Sequence, residues 1–147
     1  MGNTSMLLSI CMIVKDGAQF LKETLPSLVA GADEVIVVDT GSTDNSADIA
    51  RSCGAAVYHF PWVDDFSLAK NEAISHASGE WILFVDADEF IPENSFPKLK
   101  AILQNAKGNA YKISLCEAKK GLQECQVRYQ RLRIFRNNEG IHFRRPI

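Results

Sequence analysis

A chain of 147 residues that is 46% hydrophobic is long enough for one domain with its own core and too short for two, so residues 1–147 read as a single domain. With 16 lysines and arginines against 18 acids, its formal net charge of -2 excludes the basic field on which nucleic-acid binding relies. No transmembrane segment or signal peptide is expected, because the apolar run Met6 to Val14 becomes charged at Lys15 and the first residues carry no basic stretch.

Leu7 to Val14 is the first of three nearly continuous apolar runs; Glu34 to Asp39 and Glu80 to Asp86 are the others, and such runs suit strands buried on both faces of a parallel sheet. Helical patterns lie between them over Gln19 to Ala30, Asp44 to Cys53 and Phe66 to Ala77. Pro26 is expected to kink or break the first of these. Ser42 or Thr43 can cap the second, with Asp44 adding favourable charge and Gly54 closing it. Ala55 to His59 supplies a further strand. After Asp88 the rhythm changes: Pro92 to Gln104 is a loop leading into a helix, and Ala110 to Glu117 and Gln126 to Phe135 are strands joined around Lys119-Lys120-Gly121, an antiparallel addition at the sheet edge. The alternation predicts an α/β fold with a doubly wound, mostly parallel sheet and helices on both faces.

Cys11, Cys53, Cys116 and Cys125 form no C-x-x-C pair and have no histidines near enough to complete a zinc set, so they read as reduced, mostly buried thiols of a cytoplasmic protein. His59, His76 and His142 have no partner at ligand or triad spacing, and no catalytic histidine is assigned. The basic residues gather toward the C-terminus, from Lys119 to Arg145, where they either meet an anion or line a solvated strand.

Open α/β sheets bind ligands at the carboxyl ends of their strands, and Asp39 and Asp86 each end an apolar run. Either can merely begin a loop or cap the next helix. Asp88 follows two residues after Asp86, however, and carboxylates at that spacing on a strand exit can meet one cation or one ligand. Magnesium or manganese bridging a diphosphate is the cargo that this chemistry favours. Asp-x-Asp alone is a weak signal. Lys15-Asp16-Gly17 leaves the first strand at the same rim, where Gly17 permits a tight exit and Ile13 and Val14 face a flat ligand. Lys70, beside Asn71 in the helix before the Asp86 strand, either reaches a phosphate or lies on a solvated face.

Other families that place acids at strand ends match less well. A haloacid-dehalogenase phosphatase has Thr or Val where Phe90 stands, a response-regulator receiver needs an acidic pair where Asp16 is alone, and a Rossmann dehydrogenase needs more glycines than Gly17. Taken together, Ile13-Val14-Lys15-Asp16, Val37 to Asp44, Phe66 to Asn71 and Gly79 to Glu89 resemble the family 2 glycosyltransferases of the GT-A fold, in order and spacing. The forms are similar to a bacterial subgroup that includes S-glycosyltransferases of the SunS type and proteins with tetratricopeptide repeats after the transferase domain.

The resemblance implies an enzyme that binds a nucleoside-diphosphate sugar, a UDP-sugar by family habit, through a divalent metal (Mn2+ or Mg2+) and transfers the sugar with inversion to a sugar, lipid-linked or peptide acceptor. Ile13, Val14 and Lys15 would line the base pocket and Asp39 would hydrogen-bond the base. Lys70 would approach the diphosphate, Asp86 the ribose or metal-bound water, and Asp88 would ligate the metal. Residues 1–90 would form the nucleotide-binding half and 91–147 a partial acceptor-side half. Asp16-Gly17 departs from the Asn-Glu commoner in the subgroup. Arg131 to Asn137 resembles the strand before the acceptor side, and Ile141 to Ile147 the approach to a His-Glu segment. The sequence stops there, so part of the acceptor machinery is expected to be missing. The general base has no clear counterpart, Glu89 and Glu117 being substitutes on order alone.

Two further functions remain in view. A nucleotidyltransferase shares the sheet and the metal, although Lys15-Asp16-Gly17 is poor for holding a triphosphate. A catalytically incomplete nucleotide-binding or interaction module would use an open strand edge to pair with another chain, including a second copy in a homo-oligomer.

Overall fold

The three apolar runs form the middle of one sheet. The computed structural model describes residues 6–117 and 126–144. In chain order the elements are β1 (Leu8–Val14), α1 (Ala18–Gly31), β2 (Glu34–Asp39), α2 (Ser46–Ser52), β3 (Ala56–His59), α3 (Phe66–Ser75), β4 (Trp81–Phe84), a single 3-10 turn (Glu93–Ser95), α4 (Phe96–Gln104), β5 (Ala110–Glu117) and β6 (Gln126–Arg136). The strands form one six-stranded sheet in the order β3-β2-β1-β4-β6-β5. β3, β2, β1 and β4 are parallel, whereas β6 is antiparallel to both β4 and β5, which is the expected antiparallel addition. The expected join at Lys119 to Gly121 lies outside the described residues.

Burial on both faces explains why the runs are continuous instead of alternating. Leu8, Ile10, Met12 and Val14 of β1, Val35 and Val37 of β2, and Trp81 and Leu83 of β4 face α1, α2 and α4 through Leu21, Leu25, Leu28, Ala50, Phe96 and Leu103. Cys11, Ile36, Val38, Ile82 and Phe84 point the other way, onto α3 at Ala73 and onto Phe135. Burial pushes the Cys11 thiol up to about 12, so it packs as a small apolar group.

Local expectations were overridden in two places. α1 runs unbroken through Pro26, because the exposed ring lies between Leu25 and Leu28, both wholly buried, and that burial outweighs one missing backbone hydrogen bond. α2 is not capped by Ser42 or Thr43. It begins at Ser46, whose N–H donates to Asp44 Oδ1 at 2.9 Å, while both hydroxyl residues bond to Asp16 across the rim. Gly54 closes the helix as expected: its φ of +100° favours glycine, and its N–H returns to Arg51 O at 3.0 Å.

The end of α1 packs directly on the start of α4. A methyl at Gly31 would overlap the Phe96 ring, which is 1% exposed and has no room to retreat. Alanine gains about 1 kcal/mol over glycine in a helix, whereas overpacking costs about 1–3 kcal/mol and here involves ring atoms. Gly31→Ala is therefore expected to lower the thermal midpoint by several degrees, read by circular dichroism; a rise would show that the α1–α4 contact yields easily.

Candidate functional site

The strand order places the switch point between β1 and β4, since the chain winds outward from β1 through β2 to β3 and then returns to lay β4 on the other side of β1. A crevice opens at the carboxyl end of a parallel sheet where the winding reverses. At that point lies a cleft of about 210 Å3 lined by Ile13, Val14, Lys15, Asp16 and Gly17 at the β1 exit, by Phe20 of α1 and by Ala87 and Asp88 from the β4 exit. Gly17 lets the two exits approach: a Cβ there would stand 2.7 Å from Val14 Cγ2 and 3.5 Å from Ala87 Cβ. α1 also anchors the β4 exit, with the Thr24 hydroxyl 3.0 Å from the Ala87 carbonyl oxygen.

The β1 and β2 exits are tied together. Asp16 sits at φ 53°, a left-handed conformation that Asp and Asn tolerate better than most residues. From there its Oδ1 accepts the Thr43 N–H at 2.7 Å, the Thr43 hydroxyl at 3.1 Å and the Asp44 N–H at 3.2 Å. The Asp16 N–H donates to Ser42 Oγ, and the Gly17 N–H to Ser46 Oγ, each at 2.9 Å. The Thr43 and Asp44 amides hold the Asp16 carboxyl below the usual carboxylate range; hydrogen bonding from the Ser46 hydroxyl does the same for Asp44. An aspartate here can do what asparagine would, so the departure at this position keeps the latch.

Asp39 pairs in register with Val14 and is only 3% exposed. Its Oδ1 accepts the N–H groups of Gly41 (2.8 Å) and Ser42 (2.7 Å), which fixes the turn with one of its two oxygens. Val14 is less available than its strand-end position suggested: its carbonyl takes both the N–H (3.0 Å) and the hydroxyl (3.3 Å) of Thr40.

Asp86 and Asp88 leave β4 in a turn closed by the Glu89 N–H bonding to Asp86 O at 2.9 Å. The two carboxylates are exposed but turn to different neighbours. Asp88 lines the cleft, whereas Asp86 Oδ2 lies 3.5 Å from Arg133 Nη2. Among the described residues no group of three His, Cys, Asp or Glu side chains converges on one point. One or two exposed carboxylates and no softer ligand fit magnesium or manganese, which take few protein oxygens and complete their shell with phosphate and water.

Lys70 is not in the cleft. Its half-buried ammonium sits 4.7 Å from the Phe143 ring centre and 5.7 Å from that of Phe84, a cation–π arrangement in place of a solvated helix face. Asn71 beside it clamps Phe143 from both sides: Nδ2 donates to Phe143 O and Oδ1 accepts the Phe143 N–H, each at 2.8 Å.

Sequence reasoning placed Arg133 only among the C-terminal basic residues, and its partners are at the β4 exit. Its Nη1 donates to Glu89 Oε1 at 2.7 Å and to Phe84 O at 3.2 Å, and its Nη2 to Glu89 Oε2 at 3.3 Å. A signal existed: an arginine followed by Ile134 and Phe135 on a strand is headed for partial burial and needs an acid. Glu89, named as a substitute base on sequence order, is held in this pair. The side chain of Glu117 lies outside the described residues.

The wound sheet, the cleft at its switch point and the acidic β4 exit define a GT-A fold of the nucleotide-diphospho-sugar transferase class, and solved structures of similar geometry accord with that. TarS of S. aureus, solved in complex with UDP, superposes with a TM-score of 0.67 at 26% identity over 82% of this chain and 38% of that one. Glucosyl-3-phosphoglycerate synthase of Mycobacterium tuberculosis, solved with phosphoglyceric acid, shares the fold at a TM-score of 0.61, 22% identity and 71% and 42% coverage. In sequence, a TPR repeat-containing protein of Synechococcus elongatus is 43% identical over 139 residues, covering 94% of this chain and 34% of its own length. The SPbeta prophage-derived glycosyltransferase SunS of Bacillus subtilis is 33% identical over 94 residues, 62% of this chain and 22% of SunS. The profile of Glycosyl transferase family 2 matches residues 9–146, and the chain belongs to that family. It spans about a third or less of the length of these two curated relatives.

Proposed function

We propose that this chain is the donor-binding part of a glycosyltransferase that takes a UDP-sugar with a divalent metal and, within the whole protein, transfers the sugar to an acceptor with inversion. The observation that carries the proposal is the cleft at the β1–β4 switch point, with Ile13 to Gly17 on one wall, Asp88 on the other and Asp39 at the neighbouring strand end. TarS, whose structures include complexes with UDP and with UDP-GlcNAc, supports the choice of donor.

On this reading the chain's own groups divide the donor between them. Ile13, Val14 and Lys15 wall the base. Asp39 Oδ2 accepts a ring N–H from its edge, as uracil N3–H or guanine N1–H offers; adenine has only its exocyclic amino group as a donor, beside a ring nitrogen that would set its lone pair against the carboxylate. Asp88, assisted by Asp86, would hold magnesium or manganese, which supplies Lewis-acid stabilisation of charge on the departing diphosphate. Lys70 approaches the diphosphate only by leaving the Phe84 and Phe143 rings. Residues 1–90 carry this half and 91–147 begin the acceptor side. Among the described residues no helix is long and apolar enough to cross a membrane, and the free thiols of Cys11 and Cys53 accord with a cytoplasmic location.

Calorimetric titration with UDP, GDP and ADP, each in manganese and then in excess chelator, tests the proposal. UDP is expected to bind more tightly with metal than without, and ADP least. Indifference to all three nucleotides would remove the donor reading and leave the interaction module in its place.

A further inference from the structure

The β4 exit places three carboxylates, Asp86, Asp88 and Glu89, within four residues, yet only Asp88 lines the cleft. What separates them is one guanidinium from the opposite half of the chain. Pairing between β4 and β6 stops at Leu83 and Ile134, so the next β6 residue, Arg133, stands level with the end of β4. Its side chain is 17% exposed and does what a further strand residue cannot: it takes the Phe84 carbonyl, both oxygens of Glu89 and the near oxygen of Asp86. Glu89 Oε1 in turn accepts the Asp86 N–H at 2.7 Å, so the turn from Asp86 to Glu89 is closed through side chain as well as backbone.

We infer that Arg133 is the positioning residue of this acidic turn: by holding Glu89 and Asp86 on the β6 side, it leaves Asp88 as the carboxylate presented to the metal–diphosphate. The inference deepens the proposed donor site and rests on it for its functional consequence. Without the guanidinium, Glu89 keeps only the Asp86 N–H and the like charges of Asp86, Asp88 and Glu89 repel one another uncompensated, so the turn loosens. Arginine is required over lysine because four contacts shared between Nη1 and Nη2 need a fork and not a point charge. Because Arg133 does not line the cleft, its loss is expected to act through Asp88 and to spare the base side.

The test compares wild type with Arg133→Gln, Arg133→Lys and Glu89→Ala. Hydrogen exchange is followed at the amides of Asp86 to Glu89 and of β1, and UDP affinity is measured in manganese and in chelator. In Arg133→Gln, exchange in the turn is expected to quicken about tenfold with β1 unchanged. Affinity in manganese falls about 10- to 100-fold, the usual cost of losing a group that orients a metal ligand, while affinity in chelator stays within about twofold. Arg133→Lys falls between, and Glu89→Ala, which leaves β6 intact, reproduces the pattern if Arg133→Gln folds poorly. Unchanged exchange in the turn, or equal losses in manganese and chelator, would overturn the inference. A wild-type chain that binds no UDP in either condition would sink the donor reading instead, and the exchange data alone would then decide whether Arg133 positions the turn.

Discussion

Asp88→Ala is expected to reduce UDP affinity in manganese to the value measured in chelator and to leave the chelator value unchanged. The carboxylate is exposed and lines the cleft, so its removal takes little from the core, and stability should stay within about 0.5 kcal/mol, the range of surface substitutions. Function is another matter. A metal contact on the leaving diphosphate is worth several kcal/mol in the transition state, so transfer by the whole protein should fall about 100- to 1,000-fold at about 1.4 kcal/mol per decade. Asp86→Ala should be milder, since Asp86 is already turned toward Arg133 at 3.5 Å. Equal losses with and without metal in Asp88→Ala would mean that the residue shapes the cleft and does not ligate the cation.

The half of the site built from parallel strands was readable because its physics is local. Runs such as Val35 to Val38 are apolar on both faces, so they announce buried parallel strands, and an acid after such a run sits at a sheet rim. The features that escaped depend on groups far apart in sequence. Arg133 matters only because β6 stops pairing with β4 at Leu83 and Ile134, a register that no local pattern states. Ser42 and Thr43 look like caps for the next helix, yet Asp16, 26 residues before Ser42, takes them for the rim latch. Lys70 has a helix-face address in sequence, but its surroundings are made by Phe143, whose backbone is held by Asn71 across 72 residues. In each case a polar side chain had several possible partners, and tertiary packing chose among them.

On the proposed donor reading, the Asp39 carboxylate has two jobs, the turn and the base, and its two variants should part accordingly. In Asp39→Ala the N–H groups of Gly41 and Ser42 lose an ionised acceptor, worth about 1.5–3 kcal/mol for a charged hydrogen bond, so the thermal midpoint should fall along with UDP affinity. In Asp39→Asn the amide oxygen can keep both backbone bonds, so the turn and the midpoint should remain near wild type. The atom left toward the base is then an NH2 group, and uracil offers it N3–H, so donor meets donor where donor had met acceptor. Affinity for UDP should drop about 10- to 100-fold in Asp39→Asn, equally in manganese and in chelator, because the lost contact lies on the base and not on the diphosphate. Retention of UDP affinity by Asp39→Asn, with loss in Asp39→Ala, would assign Asp39 to the turn alone and move base recognition to the walls formed by Ile13, Val14 and Lys15.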